Sequence, residues 1–352
     1  MSITVGVIGC GNISRFHFSG LEKAGATVKW VCDLSEAAAR PWADKFGATY
    51  TANWQDIIAD PEVQLVDVTT LSAIHKPICL AAIAAGKAVV CEKTLATNAD
   101  DALEIVQAAQ AAQTIFYTSY MKRFIPAVQQ AKALLPSLGT ILSTHIRAYQ
   151  CWGNLWDTPQ TEGFFAVGPD GTSQLVKSYG GGILVCGGSH ILDLIGFLLG
   201  RPSRLFATMV RPFEADYDVQ AAALMETPNG AVHFEALAHP LTTIGFLRDG
   251  WDERVEINGT EGRLEIYSAL WDNPENKASL LVHTDNATGN ATEYRYAPES
   301  PFDRAVAFYC ANIAAGQQGE ESRLTGYDVD ELIAHIEKSA ASGQAVDVNW
   351  RI

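Results

Sequence analysis

The sequence predicts an α/β protein in which a parallel sheet comes first and a second, α+β domain with a large open, mostly antiparallel sheet follows. Up to about residue 121, apolar strand patterns alternate with helical patterns, which is typical of a parallel sheet covered on both faces. Beyond that point, strands follow one another with few helices, which favours an antiparallel sheet. The chain has 352 residues, more than one hydrophobic core usually serves, so we expect two domains.

The first domain, residues 1–121, should repeat strand and helix from its start. The strand segments are ITVGVIG, TVKWVCD, QLVDVTT, AVVCEK and TIFYTSY, with helical segments between them. Asn98, with Asp101 three residues later, predicts the start of a helix. Pro41 lies inside the second helical pattern, where we expect a kink or a restart.

The second domain, residues 122–352, should begin with a connecting helix and one strand. The run GGGILVCGGSHILDL, residues 180–194, then opens an apolar helix that ends near Gly200. Strand patterns follow, with turn signals at PNG and NGTEG. Two helical segments close the chain, and it stays open whether this C-terminal segment packs back on the first domain.

The net charge of the chain indicates which partners to expect, and its cysteines indicate the cellular compartment. A formal charge of −15 repels phosphate backbones and anionic lipid, so we expect neither nucleic acid nor membrane as a partner. The start, MSITVGVIG, is predicted to be a strand and not a signal peptide. Seven scattered cysteines without a CxxC pair favour reduced thiols and a cytoplasmic location.

GVIGCGNIS at the N-terminus resembles a dinucleotide-binding turn. Gly9 permits the tight turn, and Gly11 lets the backbone approach a pyrophosphate at the start of the next helix. Ser14 stands where the fingerprint has its third glycine, and its small size permits close helix–strand packing. We assign Asn12 and Ile13 to the same cofactor site.

Asp33 ends the second strand at the expected distance to accept hydrogen bonds from an adenosine ribose. Its charge repels a 2′-phosphate, so the sequence favours NAD over NADP, and NADP stays possible. A glycine turn in a doubly wound fold without a dinucleotide is the alternative.

Lys93, in Cys91-Glu92-Lys93-Thr94, closes a later parallel strand. In such a sheet the carboxyl ends of the strands face the cofactor crevice. A lysine there could exchange a proton with a reacting oxygen or hydrogen-bond a substrate hydroxyl. The alternative is a surface lysine paired with Glu92.

These motifs together resemble the Gfo/Idh/MocA oxidoreductases, which are sugar and cyclitol dehydrogenases or reductases. The resemblance covers nearly the whole chain and includes GVIGCGNIS, CEKTLATNADDA, the glycine run with His190 and Asp193, and INGTEGRLEI. It implies an N-terminal Rossmann domain and a C-terminal domain whose open sheet forms homodimers or homotetramers.

The resemblance also implies roles for individual residues. It makes Lys93 and His190 the catalytic residues, with Lys93 in contact with the reacting carbinol. On the nicotinamide side it places these cofactor-binding residues: Thr70, His75, Glu92 and Lys93. The expected substrate-binding residues are Lys93, Tyr120, Arg123, Trp152, Cys186 and His190.

Two positions depart from the family pattern. Thr94 replaces the proline of the EKP motif, and we expect a trans Lys93–Thr94 bond because a cis bond without proline costs about 3 kcal/mol. Cys186 stands where the family has an aspartate four residues before His190. A neutral thiol supplies no negative charge, so we expect His190 to act mainly as a hydrogen-bond partner, and Asp193 to be structural.

Other interpretations of the second domain stay open. Cys186, His190 and Asp193 could ligate zinc, but they lack a fourth ligand, and we expect no metal. His190 could also be a core histidine satisfied by Asp193 or a carbonyl. The aromatic segment 152–179 could stack on sugar rings or pack at a dimer interface.

The sequence thus predicts an enzyme that transfers a hydride between NAD and a secondary alcohol or ketone of a sugar, sugar acid or cyclitol. An NAD-dependent glycoside hydrolase is one alternative. A sugar- or NAD-sensing regulator that kept the fold and lost catalysis is another.

Overall fold

The computed structural model describes residues 2–213, 215–272 and 277–352. The chain divides into two compact units: one comprises Met1–Met121 with Ser300–Asp330, the other Lys122–Glu299 with Glu331–Ile352. The division after Met121 falls where the sequence analysis placed the domain boundary. Residues 300–330, which the boundaries 122–352 included in the second domain, belong to the first unit.

The first unit contains a six-stranded, wholly parallel sheet with the strand order β3-β2-β1-β4-β5-β6. Its strands are β1 (Thr4–Ile8), β2 (Thr27–Cys32), β3 (Thr49–Thr51), β4 (Leu65–Val68), β5 (Ala88–Cys91) and β6 (Phe116–Thr118). Its helices are α1 (Ser14–Lys23), α2 (Glu36–Phe46), α3 (Trp54–Ala59), α4 (His75–Ala84), α5 (Ala99–Ala111) and α9 (Pro301–Ala314). Every residue of β4 and β5 is buried, as expected for strands covered on both faces. This Rossmann-like sheet confirms the predicted fold class of the first domain.

Local signals set several helix ends in this unit. The Asn98 side chain accepts a hydrogen bond from the Asp101 N–H at 2.9 Å, so it caps α5 as predicted. The expected restart at Pro41 is absent, and α2 continues through it. Capping holds α2 at both ends, because Ser35 accepts from Ala38 N–H and Gly47 adopts the left-handed conformation.

Helix α9 joins the first unit through its contacts with α1. Phe16 and Phe302 stack with ring centroids 4.9 Å apart, and Ser19 donates a hydrogen bond to Asp303 at 3.0 Å. A Cβ on Gly20 would lie 2.6 Å from the Val306 side chain, so the two helices approach closely there. This packing explains why a segment so late in the sequence belongs to the first unit.

The second unit contains a nine-stranded sheet with the order β14-β13-β12-β11-β7-β10-β9-β8-β15. β7 and β10 pair in parallel, and the other pairings are antiparallel. Its strands are β7 (Ile141–Cys151), β8 (Arg204–Val210), β9 (Gln220–Thr227), β10 (Gly230–His239), β11 (Trp251–Gly259), β12 (Gly262–Ser268), β13 (Leu280–Asp285), β14 (Ala291–Arg295) and β15 (Val346–Asp347). The large, mostly antiparallel sheet confirms the predicted class of the second domain.

Among the described residues, three α-helices lie wholly in the second unit: α6 (Pro126–Leu134), α7 (Gln174–Tyr179) and α8 (Ser189–Leu199). The division between the units falls inside α10 (Thr325–Ser342). Within the described residues, one helical run, Gln174–Leu199, is long and apolar enough to cross a membrane, but 83% of its apolar window is buried inside the protein. Its apolar composition is therefore that of a core helix.

Candidate active site

The glycine turn after β1 has the form that a dinucleotide requires. Gly9 has φ +101°, and a Cβ there would lie 2.8 Å from the Thr69 carbonyl carbon and oxygen, so only glycine fits. A Cβ on Gly11 would meet no atom within 4 Å, so the space beside this backbone is open. Ser14 is fully buried, and its hydroxyl donates to the Gly11 carbonyl at 2.7 Å. Its small side chain therefore replaces the third glycine of the fingerprint without separating helix from strand.

Asp33 lies directly after β2, and its carboxylate is held by two backbone donors. Oδ2 accepts from the Cys10 N–H and Oδ1 from the Ser35 N–H, each at 2.8 Å. Asn12 is exposed and Ile13 half-buried at the start of α1, whose positive end attracts a pyrophosphate. The open turn, the helix start and the fixed carboxylate together fit the phosphates and the adenosine ribose of NAD.

Thr70 and His75, expected along the nicotinamide side, follow β4. The Thr70 hydroxyl oxygen is buried and has no hydrogen-bond partner among the described residues, so it is available to a ligand. His75 is fully buried instead; Nδ1 lies 3.1 Å from the Thr94 carbonyl oxygen, and Nε2 lies 3.2 Å from that of Thr70. Burial lowers the pKa of this imidazole against the effect of the carbonyls. His75 therefore braces the loops after β4 and β5.

Lys93 lies immediately after β5 and is half-buried. The preceding residue, Glu92, is 4% exposed, and both of its carboxylate oxygens are engaged. Oε1 lies 3.0 Å from His17 Nε2, and Oε2 accepts a hydrogen bond from the Lys93 N–H at 3.2 Å. Because β1, β2, β4 and β5 are parallel, Lys93 shares one sheet edge with Gly9 and Asp33.

The expectation of a trans peptide before Thr94 is wrong, because the Lys93–Thr94 bond is cis. A peptide bond that does not precede proline prefers trans when considered alone, but Thr94 also makes buried contacts with other segments. The hydroxyls of Thr94 and Ser72 lie 3.2 Å apart, and the Thr94 carbonyl faces His75. Ser72 and His75 precede Thr94 by 22 and 19 positions, so a prediction based on the Lys93–Thr94 dipeptide alone does not include them.

A buried cluster that the sequence did not predict connects to Lys93 through Glu92 and is formed by His17 on α1, Asp67 on β4 and Glu92. His17 Nδ1 lies 2.9 Å from Asp67 Oδ1, and all three side chains are almost fully buried. The one sequence feature that could have predicted this cluster is Asp67, because a carboxylate within an apolar strand needs a cationic partner.

In the second unit, the glycine run is tied to Asp218, which the sequence analysis also missed. Asp218 is fully buried, and its carboxylate accepts from the Gly182 N–H at 2.9 Å and the Leu184 N–H at 2.8 Å. Burial raises the pKa of this carboxyl to about 6, against the effect of those two N–H groups. A Cβ on Gly182 would overlap the Asp218 backbone, so a glycine is needed here for close approach.

The predicted single helix is in fact two elements, a π-helical turn Leu184–Gly188 followed by α8. Cys186 is half-buried in this turn, and His190, at 5% exposed, lies in the first turn of α8. A Cβ on Gly187 would lie 2.7 Å from the Gln150 amide. A Cβ on Gly188 would lie 3.1 Å from the side chains of Ala236 and Phe234, so the turn lies directly on the sheet.

Trp152, expected to bind substrate, is joined to the same part of the sheet. Its indole N–H donates to Gln150 Oε1 at 3.1 Å, and Gln150 Nε2 donates to Glu253 Oε1 at 3.1 Å. Lys122 forms a buried ion pair with both oxygens of Glu253. Trp152 thus has a fixed orientation and is half-buried.

Arg123 is engaged in an ion pair, and Tyr120 is buried. Arg123 Nε lies 2.9 Å from each oxygen of buried Asp193, and its guanidinium packs over Phe197 at 4.9 Å. Tyr120 is 1% exposed. The structure favours an ion-pair role for Arg123, which attaches α8 to the start of the second unit, and a structural role for Asp193.

Metal ligation and disulfides are not seen in the described part of the chain. Within residues 2–213, 215–272 and 277–352, no group of three or more His, Cys, Asp or Glu side chains is placed to hold a metal ion. The cysteines of these ranges form no disulfide.

Comparison with known proteins adds independent evidence. A model described as an oxidoreductase family with an NAD-binding Rossmann fold matches residues 3–120, and the GFO/IDH/MocA C-terminal domain matches residues 128–265. Inositol 2-dehydrogenase 3 of Saccharopolyspora erythraea is 27% identical over 99% of this chain and 96% of its own.

Levoglucosan dehydrogenase of Pseudarthrobacter phenanthrenivorans is also 27% identical, over 99% of this chain and 98% of its own. A solved structure of levoglucosan dehydrogenase in complex with NADH and levoglucosan has a TM-score of 0.82 at 22% identity, covering 99% of this chain and 100% of that one, which shows the same fold. This protein is therefore a member of the Gfo/Idh/MocA family of NAD-binding oxidoreductases.

Proposed function

We propose that this protein is an NAD-dependent dehydrogenase or reductase that acts on a secondary alcohol, or the corresponding ketone, of a sugar, sugar acid or cyclitol. One observation carries the proposal: the open turn at Gly11, the carboxylate of Asp33 and the side chain of Lys93 share the carboxyl edge of one parallel sheet. Ligands of such sheets bind at this edge. The relatives named inositol 2-dehydrogenase and levoglucosan dehydrogenase support the substrate class.

The proton chemistry is assigned to Lys93. When bound, NAD supplies the hydride acceptor, and NADH the donor. In oxidation, the neutral amine of Lys93 takes the hydroxyl proton as the carbinol C–H bond breaks and becomes an ammonium; in reduction, the ammonium returns a proton to the carbonyl oxygen. The hydrogen bond between the Lys93 N–H and Glu92 fixes the backbone from which this side chain extends.

His190, Trp152 and Cys186 are proposed to bind the substrate. The imidazole of His190 would hydrogen-bond a substrate hydroxyl, and the indole face of Trp152 would pack against the C–H face of a sugar ring. Cys186 stands where the family has a carboxylate, so it would line the site without adding a charge.

The preference of this protein for NAD over NADP rests on Asp33. Its carboxylate is fixed by two backbone donors, so it cannot turn away from a ribose phosphate without losing both. A 2′-phosphate placed near this anion would be repelled. We therefore propose NAD as the working cofactor, with NADP as a weaker alternative.

A panel assay tests the function. Purified protein is incubated with NAD or NADP and a set of cyclitols, aldoses and uronic acids, and the absorbance of the reduced nicotinamide is followed. We expect turnover with at least one polyol and a higher kcat/KM with NAD. Cofactor binding without turnover on any polyol would instead indicate a sensing regulator. Release of sugar from a nitrophenyl glycoside without net NADH would indicate a hydrolase.

We further propose that two copies of the chain associate through the open face of the nine-stranded sheet. This face carries the exposed apolar side chains Phe206 (43%) and Leu224 (48%) beside the stacked rings of His145 and His233. Charged side chains of both signs line the same depression: Arg147, Glu235, Arg254 and Glu256. A surface with both signs of charge is able to complement itself across a two-fold axis.

The oligomer is tested by the effect of Leu224→Glu on molecular mass, measured by light scattering. We expect the wild type to be a dimer or tetramer and Leu224→Glu to shift toward the monomer, because a buried, unpaired carboxylate is costly. Leu241→Glu, at an exposed apolar residue (54%) outside the strands, is the matched control and should keep the wild-type mass. A monomeric wild type would contradict the proposal.

A cytoplasmic location is proposed on chemical grounds. The cysteines of the described residues form no disulfide, which suits a reducing compartment. NAD is the proposed cofactor, and its turnover requires the cellular pool of that nucleotide.

A further inference from the structure

We propose that His17 is a positioning residue for Lys93, and that it acts through the buried carboxylate of Glu92. This inference deepens the proposed function and rests on it. His17 lies in the first helix and 76 positions before Lys93 in the numbering, and no motif of the sequence singles it out. The structure supplies the connection.

The imidazole of His17 joins three elements of the first unit. It is fully buried and extends from α1. Nδ1 lies 2.9 and 3.1 Å from the two carboxylate oxygens of Asp67 on β4. Nε2 lies 3.0 Å from Oε1 of Glu92, directly after β5. The ring therefore holds the end of β5 against both the neighbouring strand and the helix that follows the glycine turn.

The contacts require a protonated ring. A neutral imidazole has one N–H and one lone pair, so it would direct that lone pair at one of the two carboxylates; the imidazolium donates to both. Burial alone would lower the pKa of His17, but the charges and hydrogen bonds of Asp67 and Glu92 raise it to about 10. The neighbouring thiols stay neutral, because burial raises the pKa of Cys310 to about 12 and that of Cys91 well above its usual value.

Glu92 passes this constraint on to Lys93. Its Oε1 is held by His17, and its Oε2 accepts the Lys93 backbone N–H at 3.2 Å. Burial would raise the pKa of Glu92, but the hydrogen bond and charge of His17, followed by the charge of Lys93, lower it. The carboxylate is therefore ionised at neutral pH and fixed on both sides, so the backbone of Lys93 is fixed as well.

The charges of the cluster also support a positioning role for His17. One imidazolium between two carboxylates leaves one negative charge, which the ammonium of Lys93 balances. If His17 were neutral, the buried carboxylate of Glu92 would lack its positive partner and would attract the Lys93 ammonium more strongly. The lysine side chain would then be drawn toward this carboxylate and away from the substrate. The imidazolium thus weakens the attraction of the cluster for the Lys93 side chain.

The inference is tested by steady-state kinetics with the best polyol of the panel. The variants are His17→Gln, Glu92→Gln and the double variant. Each single variant should lower kcat about 10- to 100-fold. In His17→Gln the KM values for polyol and NAD should change less than about three-fold, because the binding groups stay in place. The double variant should be no slower than the slower single variant, because both break the same chain of contacts. Multiplied losses, or an unchanged kcat in His17→Gln, would overturn the inference.

Hydrogen exchange of the Lys93 amide gives a second readout that needs no substrate. In His17→Gln this amide should exchange roughly tenfold faster, while the amides of β5 keep their wild-type rates, because only the acceptor of Lys93 is loosened. A purely structural role for His17 would speed exchange across β5 alike, and that result would overturn the inference. If the wild type turns over no polyol, the proposed function fails, and this readout still decides the role of His17.

Lys87→Met is the matched control. Lys87 is also buried, lies just before β5, and donates to the carbonyls of Asp60 and Val63 at 2.6 and 2.9 Å. Its loss should lower stability but leave kcat and the relative exchange of the Lys93 amide unchanged. Should His17→Gln not fold, Asp67→Asn weakens the same chain from its other end. We expect it to lower kcat in the same direction, and an unchanged kcat would overturn the inference.

Discussion

Replacing Lys93 with methionine is expected to lower kcat by about 10²- to 10⁴-fold, the usual contribution of a positioned acid or base. Methionine fills a similar volume but carries no exchangeable proton, so the hydroxyl proton would have to leave to water. The dissociation constant for NADH, measured by fluorescence titration, should change only a few-fold. Steady-state rates of NADH formation with the best polyol of the panel give the comparison.

A surface lysine provides the control for this substitution. Lys45 is half-exposed and pairs with Glu22 at 2.7 Å, a contact of little energetic consequence. Lys45→Met should therefore keep wild-type kcat and cofactor affinity. If Lys93→Met retained kcat within about three-fold of wild type, Lys93 would not be the proton carrier.

The second large effect concerns stability. Asp193→Ala should lower the free energy of unfolding by about 3–5 kcal/mol, because it leaves the guanidinium of Arg123 buried without its carboxylate. The Asp193 side chain is fully buried, and that of Arg123 is 12% exposed. Denaturant unfolding followed by circular dichroism measures the change.

A double variant separates the ion pair from substrate binding. Arg123→Met with Asp193→Leu removes both charges, so most of the lost stability should return. Its KM for the polyol should stay near the wild-type value if Arg123 serves only the ion pair. A KM raised many-fold with stability restored would show that Arg123 contacts substrate, and an Asp193→Ala variant within 1 kcal/mol of wild type would contradict the structural role.

The first sheet and its cofactor turn could be predicted from sequence because their signals are local. Apolar strands recur with helices between them, and Gly9 and Gly11 precede a helix start within a few residues. Asp33 follows the next strand at a characteristic distance. The capped start of α5 could also be predicted, because Asn98 and Asp101 are only three residues apart.

The groups that hold the site could not be predicted, because their partners are distant in sequence. His17 meets Asp67 across 50 positions and Glu92 across 75, and Asp218 reaches Gly182 across 36. Only the fold brings these groups together. The prediction of a trans Lys93–Thr94 bond was wrong for the same reason, because the two residues alone do not reveal the buried contacts that surround the bond.

Deuterium transfer from a polyol labelled at its carbinol carbon tests the proposed hydride transfer most directly. With wild-type protein and NAD, we predict that the label appears in the nicotinamide ring of NADH, as detected by mass spectrometry, and that Lys93→Met slows its appearance. If NADH formed without deuterium, or if no labelled polyol of the panel passed its label to bound NAD, the assignment of this protein as a polyol dehydrogenase would be contradicted.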